Sequence, residues 1–410
     1  MRRVDIPPLL VLLVVAVGVV SAARVAGVVR GSGRDSLCAA RMSAMKLSFL
    51  RATESKGLLF DVALAGSGEE DEEDKDEERR EDSGLLMKVG TGGDSEARLG
   101  LLLNKLNSPT FVTTHAVFEC PASQLPKVPL TQVRSHSDVD LDSYMLLEKV
   151  APGTDLTSFL SGPASVRLVN QLESACLGMF RSLFIQIYAA LYDAQTRFEF
   201  THYDLHTSNV VLRKVSADPD DRWDYSIIEP ETGPHQKFSV PASATDFHQF
   251  VILDFGIARA HDPASGETIE SSDQGPKGFH PVFDARWFAI QVMGVMSPDL
   301  VDAIHENAPP KDLENFKEWM RNLVNFSEGT DLDILKWLCP KYHHHRRHNH
   351  FRSSHLSKRS TLERRSPYSN TEPQLPKEQS IAHLYRTESN HVDFIPEILE
   401  ESRFMDLFRL

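Results

Sequence analysis

The spacing of apolar residues predicts that the first part of the chain is rich in β-structure. Short apolar or alternating runs predict strands at Lys46–Leu64, Leu85–Val89, Phe111–Cys120 and Tyr144–Val150. A turn at Lys56-Gly57 divides the first run into two strands. Between these runs, Asp94–Leu106 carries leucines at helical spacing, with Asp94 or Ser95 as the N-terminal cap.

The second part of the chain is predominantly helical. Phe180 to Ala194 carries an apolar stripe at helical spacing, which predicts a buried core helix. A β-hairpin is predicted from two alternating runs, Trp223–Ile227 and Phe238–Pro241. The helical pattern resumes at Phe283 and continues to residue 339. Strands gathered in one part of the chain and helices in the other predict an α+β fold.

Two short loops carry side chains that suit phosphoryl transfer. Thr201–Arg213, T-H-Y-D-L-H-T-S-N-V-V-L-R, follows the core helix and places Asp204 five positions before Asn209. Further along, the apolar run Val251-Ile252-Leu253 leads into Asp254-Phe255-Gly256, which places a second carboxylate on a turn. Phosphoryl transfer needs a carboxylate that positions the hydroxyl nucleophile and oxygen ligands that hold magnesium. The two loops together supply both.

In their order and context, the two loops resemble the H-x-D-x-x-x-x-N catalytic loop and the D-F-G metal loop of the protein-kinase superfamily. The resemblance extends from about Lys46 to the C-terminus, with insertions. It implies a two-lobed fold with a small β-rich N-lobe and a reduced helical C-lobe, and it implies ATP and Mg²⁺ as cofactors. The shortened layout is also similar to divergent kinases of large DNA viruses.

The resemblance implies roles for five residues. Asp204 is expected to orient the nucleophile, and Asn209 and Asp254 are expected to hold magnesium. Lys88 resembles the lysine of V-A-I-K, which contacts the ATP phosphates. Glu96 is the candidate partner of Lys88, although it follows the lysine by only eight positions. The alternative for Glu96 is an acid favoured by the positive end of the helix dipole.

The expected nucleotide-binding positions of the N-lobe carry a weaker signal. Gly57 is the one glycine present where the superfamily has a glycine-rich loop over the phosphates, so a degenerate lid and an ordinary hairpin turn are both open. The strand at Tyr144–Val150 runs into the expected hinge. There the resemblance assigns Glu148 and Val150 to adenine binding by position, because side chains at the hinge are not diagnostic.

Two residues of the catalytic loop depart from the protein-kinase pattern. Tyr203 stands where the family has an arginine that meets a phosphorylated loop, which argues against that form of control. His206 stands in place of a lysine, and we expect it to contact the transferred phosphate. The pattern H-x-D-L-H-x-x-N is also typical of aminoglycoside-type and choline-type kinases. By contrast, the continuation Ile257-Ala258-Arg259 is typical of protein kinases.

Charge and composition divide the rest of the chain. Glu69–Asp82 has a net charge of −8, against −14 for the whole protein, and predicts a disordered insertion at 66–83. A second insertion at 215–246 contains the predicted hairpin, and Ala260–Gly278 is predicted to be a polar loop. A kinase-like domain at 46–340 then leads through a His/Arg-rich linker, 341–378, to a helical segment, 379–410, that is predicted to pack on the C-lobe. The acidic balance argues against nucleic acid as a partner.

The four cysteines are far apart in the sequence and form no C-x-x-C motif, so no zinc or redox site is predicted. Cys120 and Cys176 follow apolar runs and are interpreted as small buried side chains. The even number of cysteines in the chain allows disulfide bonds without favouring them.

The N-terminus raises the question of localisation. Residues 1–23 combine two early arginines, an apolar run and Ser21-Ala22-Ala23, the pattern of a signal peptide. Residues 6–23 are uncharged and approach the minimum length of a membrane anchor, with 24–45 as a linker. A secreted or membrane-anchored protein and a cytoplasmic protein that starts at Met42 or Met45 are all compatible with this pattern.

The predicted function is ATP-dependent phosphotransfer, with Ser/Thr protein as the expected substrate. Two alternatives come from the same loops. A pseudokinase that acts as a binding module is favoured by the missing glycine loop and disfavoured by the intact Asp204, Asn209 and Asp254. A small-molecule kinase is favoured by His206 and disfavoured by the D-F-G-I-A-R sequence. The oligomeric state is not predicted.

Overall fold

A computed structural model describes residues 42, 45–52, 58–64, 84–90, 93–120, 143–215, 218, 221–227, 236–271 and 278–324. The segments predicted as 1–23, 66–83, 341–378 and 379–410 lie outside these residues, as do most of 24–45 and the turn at Gly57. The described chain is divided between two compact units. The first is drawn from Met1–Gly153, His202–Asp204 and Val251–Lys277, and the second from Thr154–Thr201, Leu205–Phe250 and Gly278–Leu410.

The first unit is built on an antiparallel sheet of five strands in the order β1-β2-β3-β5-β4. Its strands are β1 (Met45–Ala52), β2 (Leu58–Leu64), β3 (Leu85–Gly90), β4 (Thr114–Glu119) and β5 (Ser143–Glu148). Helix α1 (Gly93–Leu103) follows β3 and ends in a 3₁₀ turn at Asn104–Leu106. The predicted strands and the predicted helix are present, with ends that shift by a few residues.

Alternation along β3 separates a core face from a polar face. Met87 and Val89 are buried in a cluster with Phe60, Phe118 and Tyr144, while Lys88 lies on the opposite side of the strand. Because side chains alternate across a strand, burial of Met87 and Val89 fixes the direction of Lys88. The packing of the sheet therefore determines which face carries the lysine.

The second unit is mainly helical. Its helices are α2 (Leu156–Ser161), α3 (Pro163–Leu172), α4 (Gly178–Phe198), α5 (Pro281–Val295), α6 (Pro298–Asn307) and α7 (Pro310–Val324). The predicted apolar stripe lies within α4, and nearly all side chains of this helix are buried. Strand β7 (Val210–Lys214) also belongs to this unit, and it is the middle strand of a small sheet with the order β10-β7-β6. The boundary between the two units falls within β6 (Pro152–Asp155) and within β10 (His248–Ile252). A sheet-based unit and a helical unit confirm the predicted α+β class.

Two hairpins lie outside the main sheets. The predicted one is present, and pairs β8 (Arg222–Ile227) with β9 (Gln236–Pro241). The other pairs β11 (Arg259–Asp262) with β12 (Glu267–Glu270), where the sequence predicted a polar loop. That prediction was wrong because each of these strands buries only one side chain, Ala260 or Ile269, which leaves almost no apolar pattern.

The interpretation of two cysteines can be compared with the described part of the chain. Cys120 and Cys176 are both buried, as interpreted. Cys176 is a free thiol, whereas Cys120 is disulfide-bonded, a possibility that the sequence had allowed without favouring it. Among the helices that the structure describes, none is long and apolar enough by itself to cross a membrane. The bent pair Pro163–Ala175 and Gly178–Phe198 meets the length and composition criteria together.

Candidate active site

A largely buried lysine lies between two acids in the first unit. The Lys88 Nζ is 2.7 Å from Glu96 Oε1 and 2.8 Å from Asp254 Oδ1. The side chains of Lys88 and Glu96 are 12 % and 9 % exposed, and that of Asp254 is 35 % exposed. The structure thus brings together three residues that are separated by up to 166 positions and that the sequence proposed for nucleotide and metal binding.

The three charges shift one another's ionisation. Burial by itself would lower the pKa of the Lys88 ammonium, but the charges of Glu96 and Asp254 outweigh burial and raise this pKa above its usual range. Burial would raise the pKa of the Asp254 carboxyl, yet the positive charge of Lys88 lowers it. For Glu96, burial dominates over the charge of Lys88 and raises the pKa. Lys88 therefore remains charged at neutral pH.

Local chain geometry explains why Glu96 reaches Lys88 over so short a separation. Strand β3 ends at Gly90, and α1 begins at Gly93. Glu96 consequently lies in the first turn of the helix, next to the end of the strand that carries the lysine. Both interpretations of Glu96 are compatible with this position, since it forms an ion pair and also lies at the N-terminal end of the helix.

His202 connects the Asp204 loop to the Asp254 loop within the first unit. Its Nε2 is 2.9 Å from the Leu253 carbonyl oxygen, and its Nδ1 is 3.3 Å from the Asp204 backbone nitrogen. The neutral tautomer protonated at Nε2 satisfies both, because it donates to the carbonyl and accepts from the amide. The His202 ring also packs edge-on against Phe255, with centroids 5.7 Å apart. The buried imidazole thereby fixes Asp204 relative to Leu253.

Two non-glycine residues in these loops adopt left-handed backbone conformations. Tyr203 has a φ of 65° and Asp254 has a φ of 60°. Positive φ is uncommon for such residues and costs on the order of 1–3 kcal/mol, so it persists where the surroundings impose it. The left-handed backbone at Tyr203 and Asp254 sets the direction of the side chains next to them. Its occurrence in both loops is consistent with a functional constraint.

A second set of contacts fixes the Asp254 loop to the strand-rich unit. Phe111 pairs with Ile252 in a parallel β-bridge, and the amides of Val112 and Ile252 donate to the carbonyl oxygens of Ile252 and Thr110 at 3.1 and 2.6 Å. The rings of Phe111 and Phe255 lie 6.2 Å apart. Phe111 and Val112 were predicted only as the beginning of a strand, and no pattern there or at Thr110 indicated this role.

The remaining residues of the Thr201–Arg213 loop belong to the second unit. His206 is the N-cap of a 3₁₀ turn at Thr207–Asn209, and the Asn209 amide donates to the His206 carbonyl at 3.0 Å. Asn209 is 8 % exposed. The turn is held from α2, since the Thr157 hydroxyl lies 2.6 Å from the Thr207 hydroxyl and 3.0 Å from the Ser208 hydroxyl.

The expected hinge residues end strand β5. The Glu148 amide donates to the Thr113 carbonyl at 2.9 Å, and the Glu148 carboxylate accepts from the Thr113 amide at 3.4 Å. Val150 is buried. The Glu148 side chain is therefore directed toward Thr113, the residue before β4. This direction is compatible with the expected adenine binding at this position, which depends on the backbone and not on the side chain. Gly57 lies outside the described residues.

Magnesium is compatible with the proposed ligands on chemical grounds. Asp254 offers a carboxylate and Asn209 an amide oxygen, the hard donors that Mg²⁺ prefers. Mg²⁺ usually takes only one or two protein ligands and completes its shell with water and phosphate oxygens. Across the described ranges, no cluster of three or more His, Cys, Asp or Glu side chains forms an all-protein metal site.

Comparisons with known proteins place this geometry in context. No family model matches the chain. A 128-residue region, 30 % of this chain, is 27 % identical to "Probable kinase 098L" of Invertebrate iridescent virus 3, and it spans only a fifth of that protein's length. Among solved structures, "WaaP in complex with acyl carrier protein" has 14 % identity and a TM-score of 0.33, covering 72 % of this chain and 93 % of that one. A Stt7 homolog from Micromonas algae soaked with ATP has 10 % identity and a TM-score of 0.37, covering 72 % of each chain.

Proposed function

We propose that this chain, a divergent member of the protein-kinase-like superfamily, is an ATP-dependent phosphotransferase. The observation that carries the proposal is the buried Lys88, held at 2.7 Å by Glu96 and at 2.8 Å by Asp254. An isolated buried ammonium would be costly, so its retention among acids from distant segments favours a functional role. The sequence similarity to a viral probable kinase supports the same reaction class.

In this proposal, each residue of the site contributes position or charge. Lys88 neutralises phosphate charge on ATP, and Glu96 limits the directions in which its side chain can point. Asp204 accepts a hydrogen bond from the acceptor hydroxyl and aligns it for attack on the γ-phosphorus. Magnesium, bound through Asn209 and Asp254, would supply neutralisation of the phosphate oxygens. Phosphoryl transfer gains most of its acceleration from such positioning and electrostatic stabilisation.

We further propose that the acceptor is a serine or threonine of a protein and that His206 contacts the transferred phosphate. The D-F-G-I-A-R sequence supports a protein substrate. His206 is partly exposed beside the buried Asn209, so its ring is accessible to a ligand. Transfer to an aminoglycoside or choline is the alternative outcome of the same assay.

The test is transfer of labelled phosphate from ATP by the full chain in the presence of Mg²⁺. Proteins rich in Ser and Thr and a panel of aminoglycosides and choline serve as parallel acceptors. Asp204→Asn is expected to reduce transfer by roughly 10²–10³-fold, the usual effect of losing one positioned catalytic group. The folded structure should change little, because this substitution preserves the shape of the side chain.

Asp193→Asn is the matched control. Asp193 is a partly exposed residue of α4 that pairs with Arg197 at 2.7 Å, and its substitution should leave transfer unchanged. If Asp204→Asn and Asp254→Ala both retain the wild-type rate, the enzyme proposal is wrong. Nucleotide binding without any transfer would instead indicate a pseudokinase.

A further inference from the structure

The hairpin β11–β12, which follows the Asp254 loop, is joined to helix α1. We call residues 259–270 the brace hairpin. Its register places Asp262 opposite Glu267 at the closed end. The turn between them is stabilised locally, since the Asp262 carboxylate accepts from the Ala264 amide at 3.1 Å and Gly266 has a φ of +70°. The two strands therefore present a pair of acids side by side.

Helix α1 presents two bases to these acids. The Arg98 guanidinium donates to the Glu267 carboxylate, and the Lys105 Nζ, in the 3₁₀ turn after α1, lies 3.5 Å from Asp262 Oδ2. Arg98 follows Glu96 by two positions. The Arg98–Glu267 contact is therefore made in the same part of α1 as the Glu96 side chain that pairs with Lys88. The brace hairpin thus contacts α1 through Arg98 and the 3₁₀ turn after α1 through Lys105.

The open end of the brace hairpin returns to the Asp254 loop. The Ser271 hydroxyl lies 2.5 Å from the Phe255 carbonyl oxygen and 2.9 Å from the Ala258 carbonyl oxygen. The Ser271 amide donates to the Ala258 carbonyl at 3.1 Å. These contacts join Ser271, directly after the brace hairpin, to the residues that follow Asp254. A displacement of the hairpin would therefore also displace the Asp254 loop.

We propose that the brace hairpin is a positioning element, in which Arg98 and Glu267 keep Glu96 of α1 and Asp254 in register around Lys88. The contacts form a closed circuit from Lys88 to Glu96, along α1 to the hairpin, and through Ser271 to the Asp254 loop. Because Arg98 and Glu267 are 39 % and 50 % exposed, their ion pair contributes little to folding stability. A shift of about 1 Å at a reacting group can nonetheless reduce a rate about 100-fold.

This inference rests on the proposed phosphotransfer for its kinetic test but has a second test that does not. Arg98→Glu and Glu267→Arg are compared with the double variant that exchanges the two charges. Each single variant is expected to lower kcat by roughly 10-fold to 100-fold, while the exchanged pair recovers to within about 3-fold of wild type. Arg197→Glu removes a similarly exposed ion pair on α4 and is expected to leave kcat unchanged.

The second test measures hydrogen exchange at the α1 amides and the rate at which an amine-reactive reagent labels Lys88. Both rates are expected to rise in the single variants and to return in the exchanged pair, whether or not transfer is detected. Wild-type exchange and labelling rates in both single variants would overturn the positioning role, and so would an exchanged pair that remains as impaired as the singles. Absence of transfer in the wild type would overturn the proposed function alone.

Discussion

The Lys88 region of the first unit and the α4 region of the second are both largely buried, but different interactions stabilise them. Around Lys88, an ammonium group and two acidic side chains contact one another at 2.7 and 2.8 Å. Around α4, aromatic rings make most of the contacts. The centroid of the Phe184 ring lies 4.7 Å from that of Trp319 and 5.4 Å from that of Tyr188. Burial of charge is costly, whereas burial of aromatic surface is favourable.

Polar groups in the α4 region show the same contrast. The Tyr188 hydroxyl donates to the Ala285 carbonyl at 2.8 Å, and the Gln186 side chain accepts from the Phe250 amide at 3.1 Å. These two neutral side chains join helices and a strand without ionisation. Arg181 is a buried cation of the same helix, and its guanidinium lies 3.5 Å from Asp312 Oδ2. Aromatic packing and neutral hydrogen bonds thus dominate the α4 region, while the Lys88 region concentrates charges that a purely structural core could replace with apolar side chains.

The largest expected loss of stability comes from the α4 region. Phe184→Ala removes the ring that contacts Tyr188, Phe288 and Trp319, and it should lower the free energy of unfolding by about 4 kcal/mol. Urea titration followed by circular dichroism measures this loss. Leu50→Ala, at a side chain that is 48 % exposed, is the control and should change the free energy by less than about 0.5 kcal/mol. Equal losses in the two variants would contradict the contrast.

The sequence was sufficient to predict the elements that frame both regions. The apolar stripe of α4 is long and regular, and the alternation in β3 directs Lys88 away from the core because Met87 and Val89 must be buried. Helical and strand periodicity therefore predicted these elements, since both regions depend on which side chains avoid water.

The sequence was insufficient for contacts that depend on polar side chains far apart in the chain. The β11–β12 hairpin has one buried residue in each strand, and its only sequence signal is the turn segment Pro263–Gly266 between alternating residues. The position of His202 between Asp204 and Leu253 likewise follows from tertiary structure, because neither of its hydrogen bonds is encoded by periodicity.

The next largest effect separates charge burial from function. Lys88→Met leaves the buried Glu96 without its cation and should lower the free energy of unfolding by roughly 3 kcal/mol. The same substitution should also abolish phosphotransfer. Lys88→Met combined with Glu96→Met should recover most of this stability, because two apolar side chains replace the buried pair, but it should not recover transfer. Thermal unfolding and the labelled-ATP assay measure the two properties. Recovery of both would show that the ion pair has only a structural role.

A smaller effect concerns the neutral hydrogen bonds of the α4 region. Tyr188→Phe removes the donor to the Ala285 carbonyl with little change in packing, and it should lower the free energy of unfolding by about 1 kcal/mol. Urea titration beside Phe184→Ala allows the comparison. A loss as large as that of Phe184→Ala would mean that hydrogen bonding, and not aromatic packing, dominates this region.

The smallest effect depends on pH and on the one described free thiol. Burial raises the pKa of Cys176 to about 11, so the folded protein keeps the thiol neutral at pH values where the unfolded chain begins to ionise. The stability from this neutral thiol is complete below the ordinary pKa of the thiol, 9.0, and declines as the pH rises toward the pKa of about 11 in the folded protein. Wild type should thus lose about 1 kcal/mol more than Cys176→Ala between pH 7 and pH 10. Urea titrations of both proteins at the two pH values measure the difference, and equal losses would mean that the thiol ionises as readily in the folded as in the unfolded protein.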